Sequence, residues 1–368
     1  MKWRRNAAGK GTNCRMEIRI TKNVAPAPKP SAEALGFGQV FTDHMFLMEY
    51  DAPQGWHDAR IVPYAPLALP PAAAVFHYGA EVFEGLKAYR AEDGRVQLFR
   101  PADNIRRMQD SAERLGLPQF DADDALRALL TLVDLERDWV PAANGTSLYL
   151  RPFLIAVDPC LGIHTIEHAL FCIIASPSGS YYKEGVNPVR IMIETSDVRA
   201  VRGGTGYAKC GGNYAAANRA GARAEQLGYS QVLWLDGVER RYIEEVGSMN
   251  VMFCIDGTVV TPALTGSVLP GITRRSCIEL LRDWGVPVEE RLLPVDELMD
   301  AAHAGKLDEA FGCGTAAVIS PIGELRYGDV CLTLSDGKIG PLAQRLYDEL
   351  TDIQYGRRKD PHGWIVPV

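Results

Sequence analysis

The 368-residue sequence is first narrowed by what it lacks. Its 8 cysteines stand at positions 14, 160, 172, 210, 254, 277, 313 and 331 and form no CxxC pair. A zinc ribbon and a thioredoxin-type redox motif are therefore excluded, and no metal site is expected. In a chain of this length the cysteines read as free thiols of a reducing cytoplasm. No uninterrupted apolar run approaches the roughly eighteen residues that a membrane-spanning helix needs. Basic charge is not in excess either. With 39 Lys and Arg against 46 Asp and Glu, the net charge is −7, which argues against nucleic acid and anionic membrane as partners. The opening "MKWRRNAAGKGTNCR" is basic but lacks the apolar core of a secretory signal. It reads as a disordered extension ahead of Met16, and "KNVAPAPKPSAEALG" (22–36) as a Pro-rich arm.

With 47% hydrophobic residues the chain can bury a large core, and its length suits two domains. From residue 37 to 182 strand-like runs such as "SLYLRPFLIAV" and "ALFCIIAS" mix with an amphipathic helix, "PADNIRRMQDSAERLG". The turn-rich "PSGSYYKEGVNP" marks a boundary, and residues 183–196 read as the linker to a larger unit, 197–368. In that unit Asp236-Gly237 and Asp256-Gly257 are each flanked by strand-like runs, the strongest short hairpin signal. "GITRRSCIELLRDWG" places Ile272, Cys277, Leu280, Leu281 and Trp284 along one helical face.

Two glycine-rich stretches resemble nucleotide sites and fail as such. "GGTGYAKC" (203–210) has Ala208 in place of the second P-loop glycine and Cys210 in place of the metal-binding hydroxyl. "GCGTAA" (312–317) fits GxGxxA, but Pro321 and Gly323 follow where a helix is required. What survives is a turn around Thr315–Ala317 whose N–H groups can hold an anion. On local sequence alone, Lys209 reads best as an ordinary charged side chain at a helix start. A lysine that forms a Schiff base needs a tight, partly apolar site, and glycines let a flat ring approach the backbone. A pyridoxal phosphate site needs further parts: a helix N-terminus and an arginine for phosphate, a carboxylate for the pyridine nitrogen, and a donor for the phenolic oxygen. "LPGIT" (269–273), Glu245 and Tyr214 can supply the first, third and fourth.

Together these residues resemble the class IV, fold-type IV pyridoxal-phosphate aminotransferases, and among them the branched-chain amino-acid aminotransferases. The signature is carried by "EVGSMNVMF" (245–253), "VVT" (259–261) and "LPGITR" (269–274), with Met252 where the pattern prefers an aromatic residue. The branched-chain likeness extends to "FGQVFTDHM" (37–45), "HYGAEVFEGLKAYR" (77–90), "LFRP" (98–101), "LYLRP" (148–152), "KCGGNYAA" (209–216) and "GCGTAA".

The resemblance implies a mixed α/β chain with a smaller N-terminal α/β domain and a larger C-terminal pseudo-barrel domain with hairpins. It implies pyridoxal 5'-phosphate as cofactor, reversible amino transfer between leucine, isoleucine or valine and 2-oxoglutarate, and a cytoplasmic homodimer. Lys209 would tether the cofactor, Glu245 meet its ring nitrogen and Tyr214 its phenolic oxygen. Arg100, Ser248, Ile272, Thr273 and Thr315 would surround the phosphate, and the turn at Thr315–Ala316 would hold the substrate α-carboxylate. Phe37, Tyr78, Phe83, Tyr149 and Tyr181 would line the side-chain pocket, with Arg151 meeting the distal carboxylate of glutamate. "DPCLGI" (158–163) resembles the loop that such enzymes lend to a neighbouring subunit. Singly, Phe37, Phe83 and Tyr181 also read as core aromatics, Arg100 as the partner of a surface acid, and Glu244 as a rival to Glu245. His44 and His77 are expected in structural roles. D-amino-acid aminotransferases and aminodeoxychorismate lyases share the fold and the lysine, and a cofactor-free anion-binding protein is the rival of another class.

Overall fold

Two nine-stranded sheets organise the computed structural model, which describes residues 16–179 and 186–368. The first sheet runs in the order Arg19–Ile20, Gly55–Pro63, His44–Asp51, His168–Ser178, Ser147–Ala156, Leu86–Arg90, Val96–Phe99 and Ile365–Pro367, with Glu81–Phe83 added against Ser147–Ala156. The second runs Ile243–Val246, Gln231–Leu235, Val189–Ile193, Val318–Tyr327, Leu307–Gly314, Asn250–Ile255, Thr258–Pro262 and Val288–Arg291, with Val330–Thr333 added against Val318–Tyr327. The architecture is mixed α/β. The strand Ile365–Pro367 returns from the far end of the chain to pair antiparallel with Gln97–Phe99.

One core lies between the first sheet and the helices Pro101–Leu115 and Ala122–Leu135, around Phe46, Phe171, Ile105, Met108, Leu129 and Leu132. The helix Pro101–Leu115 begins on proline, which needs no N–H there, and ends at Gly116 with φ +69°. Beside its apolar positions it buries Asn104, Arg107 and Ser111. In the second unit, Ile272–Asp283 and Pro341–Gln354 pack through Cys277, Leu281, Leu346 and Leu350 against Phe311 and Ile319. The helix Gly211–Gln226 packs Ala220 and Ala224 against Tyr229 and Trp234, which keeps the segment after Lys209 rigid.

The hairpin at Asp256-Gly257 is a two-residue loop with φ +51° and +75° between paired Ile255 and Thr258. At Asp236-Gly237 the expected tight turn is replaced by a longer connection between Leu235 and Ile243. Asp236 organises it by accepting N–H bonds of 2.8–3.0 Å from Val238, Glu239, Arg241 and Tyr242. Residues 16–36 also depart from the expectation of an unstructured arm. Arg19–Ile20 lies parallel to Arg60–Ile61, Asn23 N–H donates to His44 Nε2 at 2.8 Å, and Ala27 N–H donates to Asp43 at 2.7 Å. His44 Nδ1 meets the buried carboxylate of Glu136, so this histidine ties the arm to the sheet. Residues 1–15 lie outside the described residues.

Candidate active site

Between the two sheets lies a cleft of about 220 Å³. Lys209 reaches it from a backbone held on both sides. Its N–H donates to Ser111 Oγ at 2.9 Å, and its carbonyl accepts from Phe83 N–H at 3.0 Å. The ammonium is enclosed between aromatic rings, 4.8 Å from the centre of Phe83 and 5.0 Å from that of Tyr214, and donates to the Tyr214 hydroxyl at 2.5 Å. Burial first, then the nearby cations Arg107 and Arg151, lower its pKa to about 8, with Glu84 and Glu245 opposing. Such a lysine exchanges its proton far more readily near neutrality than a solvated one. Tyr214 is pushed above the usual phenol range, chiefly by burial and by Glu245; its hydroxyl stays protonated.

Glu245 closes one end of the cleft. It is only 3% exposed and accepts from Leu269 N–H at 2.7 Å, with Arg199 Nε at 3.4 Å from its other oxygen. Burial raises its pKa, and Arg199 is the largest opposing influence. The neighbouring Glu244 turns to the other face of the strand and meets Ser267, so the cleft receives Glu245 of the pair.

At the opposite end stands the helix start Gly271–Thr273. A Cβ at Gly271 would lie 1.8 Å from Asn250 Oδ1, so any other residue would displace that side chain. No side chain caps this helix, and among the described residues nothing accepts from the N–H groups of Ile272 and Thr273. Arg107 sits beside them. Glu84 holds its guanidinium in a two-point pair of 2.8 Å each, and Nη1 donates to Pro270 O at 3.2 Å. Asn104 Nδ2 at 2.8 Å and Gly85 N–H at 3.2 Å also donate to the Glu84 carboxylate. The arginine expected here, Arg100, is elsewhere: it pairs with Asp103 at 2.7 Å and Glu279 at 3.1 Å, donates to Ser276 and stacks 5.1 Å from the Trp364 ring. At φ +50° before the helix, Arg100 is directed to Ser276 and Glu279, further along Ile272–Asp283, and acids occupy its guanidinium.

Phe37, Phe83, Tyr149 and Arg151 line the first-sheet wall. Phe37 and Tyr149 meet edge to face at 4.9 Å. Arg151 lies 4.8 Å from the Phe83 ring and donates to Tyr149 at 3.2 Å, while its buried Nε has no partner among the described residues. Ser248, Thr315 and Ala316 complete the lining. The structure does not bring Tyr78 there: its hydroxyl donates to Leu161 O at 2.7 Å, and the ring lies on the exposed loop after residue 158. Tyr181 lies outside the described residues.

The class IV amino-transferase family profile matches residues 81–325. The branched-chain-amino-acid transaminase 1 of Bacillus subtilis (strain 168) is 54% identical over 352 residues, covering 95% of this chain and 99% of that protein. The chain belongs to the branched-chain amino-acid aminotransferases of class IV. The crystal structure of the Escherichia coli branched-chain aminotransferase superposes with a TM-score of 0.73 at 26% identity, over 88% of this chain and 98% of that one. The branched-chain aminotransferase of the thermophilic archaeon Thermoproteus uzoniensis, in its structure with norvaline, gives 0.71 at 27% identity, over 88% and 99%.

Two charged residues of the site escaped the sequence reading: Arg107, which lines the cleft, and Arg199, which meets Glu245. Arg107 left a signal: Asn104, Arg107 and Ser111 are polar residues at helical spacing on the face shared with Ile105 and Met108. Arg199 left none, since its role follows from the loop that brings it beside Glu245.

Proposed function

We propose that the protein moves an amino group reversibly between leucine, isoleucine or valine and 2-oxoglutarate, with pyridoxal 5'-phosphate as cofactor. One observation carries the reading: an enclosed lysine bonded to a tyrosine hydroxyl, set between a buried carboxylate and an uncapped helix start. The residues fit that cofactor in charge and in unfilled donors. Lys209 would hold it covalently, Glu245 would pair with the ring nitrogen, and Tyr214 would donate to the ring oxygen. The amides of Ile272 and Thr273, with Arg107 in the place first given to Arg100, and Ser248 and Thr315 nearby, would hold the phosphate. When bound, the cofactor supplies an electron-withdrawing ring that stabilises the charge left when the substrate loses its Cα proton.

The chain's own residues do the rest. Lys209, once released from its tether, takes the substrate proton and later gives it back, a task suited to a pKa near 8. Arg199 favours the ionised form of Glu245, opposing the burial that raises its pKa. Phe37, Phe83 and Tyr149 give a branched side chain an apolar wall that excludes water. Arg151, with a free Nε among those rings, offers the anchor for the second carboxylate of glutamate. The free N–H groups of the turn at Thr315–Ala316 suit the α-carboxylate.

The reading includes a homodimer working in the cytoplasm. The dimer is supported by an open groove of about 560 Å³ on the first sheet, floored by Met45, Leu47 and Leu170 and lined also by Glu49, Asp51 and Arg60. Nearby, Leu161 and Ile163 are 75% and 92% exposed. In such a dimer Tyr78 and the loop 158–163 would meet the partner's cleft instead of their own.

The decisive test is spectroscopic and kinetic. The purified protein is expected to show a visible band that borohydride bleaches and to transaminate L-leucine with 2-oxoglutarate. Lys209→Ala should lose the bleachable band and about 10²–10⁴ of the rate. A colourless protein without affinity for pyridoxal phosphate overturns the proposal, and faster reaction with D-alanine or pyruvate release from aminodeoxychorismate would replace it.

A further inference from the structure

A second lysine, Lys87, also has an enclosed ammonium and plays no part in the reaction as described. It stands on the strand Leu86–Arg90, opposite Tyr149 in the first sheet. Its Nζ crosses to the other half of the molecule and donates to Ala316 O at 2.7 Å. Two arginines at the cleft meet carboxylates, Arg107 with Glu84 at 2.8 Å and Arg199 with Glu245 at 3.4 Å, whereas Lys209 and Arg151 donate to tyrosine hydroxyls. Among the described residues no carboxylate pairs with Lys87, and burial alone pulls its pKa down to about 8. A partly buried ammonium that faces a carbonyl dipole and no carboxylate is favoured by an anion bound beside it. The turn it grips offers that anion a place. Nothing among the described residues accepts from the N–H groups of Thr315, Ala316 or Ala317, and Thr315 and Ala316 line the cleft.

We propose that Lys87 is the positioning residue of the carboxylate seat at Thr315–Ala317, pinning the Ala316–Ala317 peptide from the opposite sheet and supplying the seat with positive charge. The inference rests on the aminotransferase reading above and adds a residue to it. The ammonium fixes the plane of one peptide and hence the shape of the turn. Because the site is shielded from water, its charge also acts on a bound carboxylate with little screening. Lys87 thereby discriminates substrates that carry the α-carboxylate from amines that lack it.

The test uses the full-length, cofactor-loaded protein and two unreactive or slow probes with the same branched side chain, 4-methylpentanoate and isopentylamine, with affinities measured by titration calorimetry. Lys87→Met is expected to weaken 4-methylpentanoate about tenfold or more, as for loss of a charge-assisted contact, and to leave isopentylamine within about twofold. KM for leucine should rise by a similar factor with kcat changed far less, and the visible band should stay unchanged. Lys87→Arg, which keeps the charge, should restore carboxylate binding to within about threefold of wild type. Should Lys87→Met fold poorly, Lys87→Gln against Lys87→Arg gives the same contrast. Equal losses for both probes, or unchanged carboxylate affinity, overturn the role of Lys87 alone. Wild-type protein that takes up no pyridoxal phosphate overturns the functional reading beneath it.

Discussion

At Lys209, Tyr214 and Glu245 the chemistry is set by enclosure: Glu245 is buried, the other two are partly so, and each pKa moves first because water is removed. The arginines are set by their partners instead, and here residue type alone misleads. Arg100 and Arg107 are seven positions apart on one helical segment, and both are charged, buried and bonded to acids. Only Arg107 has Nη1 at the Gly271 helix start, so only it should govern cofactor affinity. Arg107→Met is expected to weaken pyridoxal phosphate binding about tenfold to a hundredfold, the scale of a charge-assisted contact. Arg100→Met should leave that affinity near wild type and lower thermal stability, and equal effects on cofactor titration would undo the assignment. Arg151→Ala should raise KM for 2-oxoglutarate about tenfold or more while changing that for the keto acid of leucine much less. Lys209, Glu245 and the aromatic wall were legible because motif spacing and strand alternation fix which residues share a face. The contact partners that separate Arg107 from Arg100 are tertiary and were not.

Single elements hold the cleft through backbone groups, so substitutions there have effects out of proportion to their size. Gly271→Ala would drive a methyl into Asn250, whose amide donates to Leu269 O at 2.9 Å. Overpacking of this kind costs about 1–3 kcal/mol; a lowered melting temperature together with weaker cofactor binding is the expected pair of readouts. The connection after Leu235 depends on the Asp236 carboxylate. Burial raises its pKa, but the four amides outweigh burial and bring it to about 2. With a folded pKa below the unfolded value, its contribution is present above the usual carboxylate range, near pH 4, and is lost as pH falls toward 2. Asp236→Asn presents a donor to two of those amides and should cost about 1–3 kcal/mol at pH 7, with the difference from wild type shrinking as a urea titration is repeated at lower pH. The Asp-Gly signal located a reversal of the chain at both sites. It gave the right loop length only at Asp256, because side-chain capture of four amides at Asp236 is not encoded in the dipeptide.

For the whole molecule, the cleft exists because two sheets from different parts of the chain face each other. The pattern of strands and helices announced two such units, while the closing of the first sheet by Ile365–Pro367 left no trace in periodicity, since three residues are too few to show one. Trp364 beside Arg100 and the pairing of Ile365 with Phe99 connect that closure to the helix that carries Arg107. Removing residues 364–368 is expected to expose the Val96–Phe99 edge, increase aggregation on heating and lower cofactor affinity. Light scattering and a pyridoxal phosphate titration check the two effects.

The strand Ile365–Pro367 also sets a timetable for biosynthesis. On the ribosome, Val96–Phe99 emerges long before Ile365–Pro367, and while Leu86–Arg90 can pair with one of its edges, the backbone groups along the other wait without a partner until those residues are made. During translation the nascent chain therefore carries an open sheet edge, a surface that chaperones can shield and that invites pairing between neighbouring nascent chains.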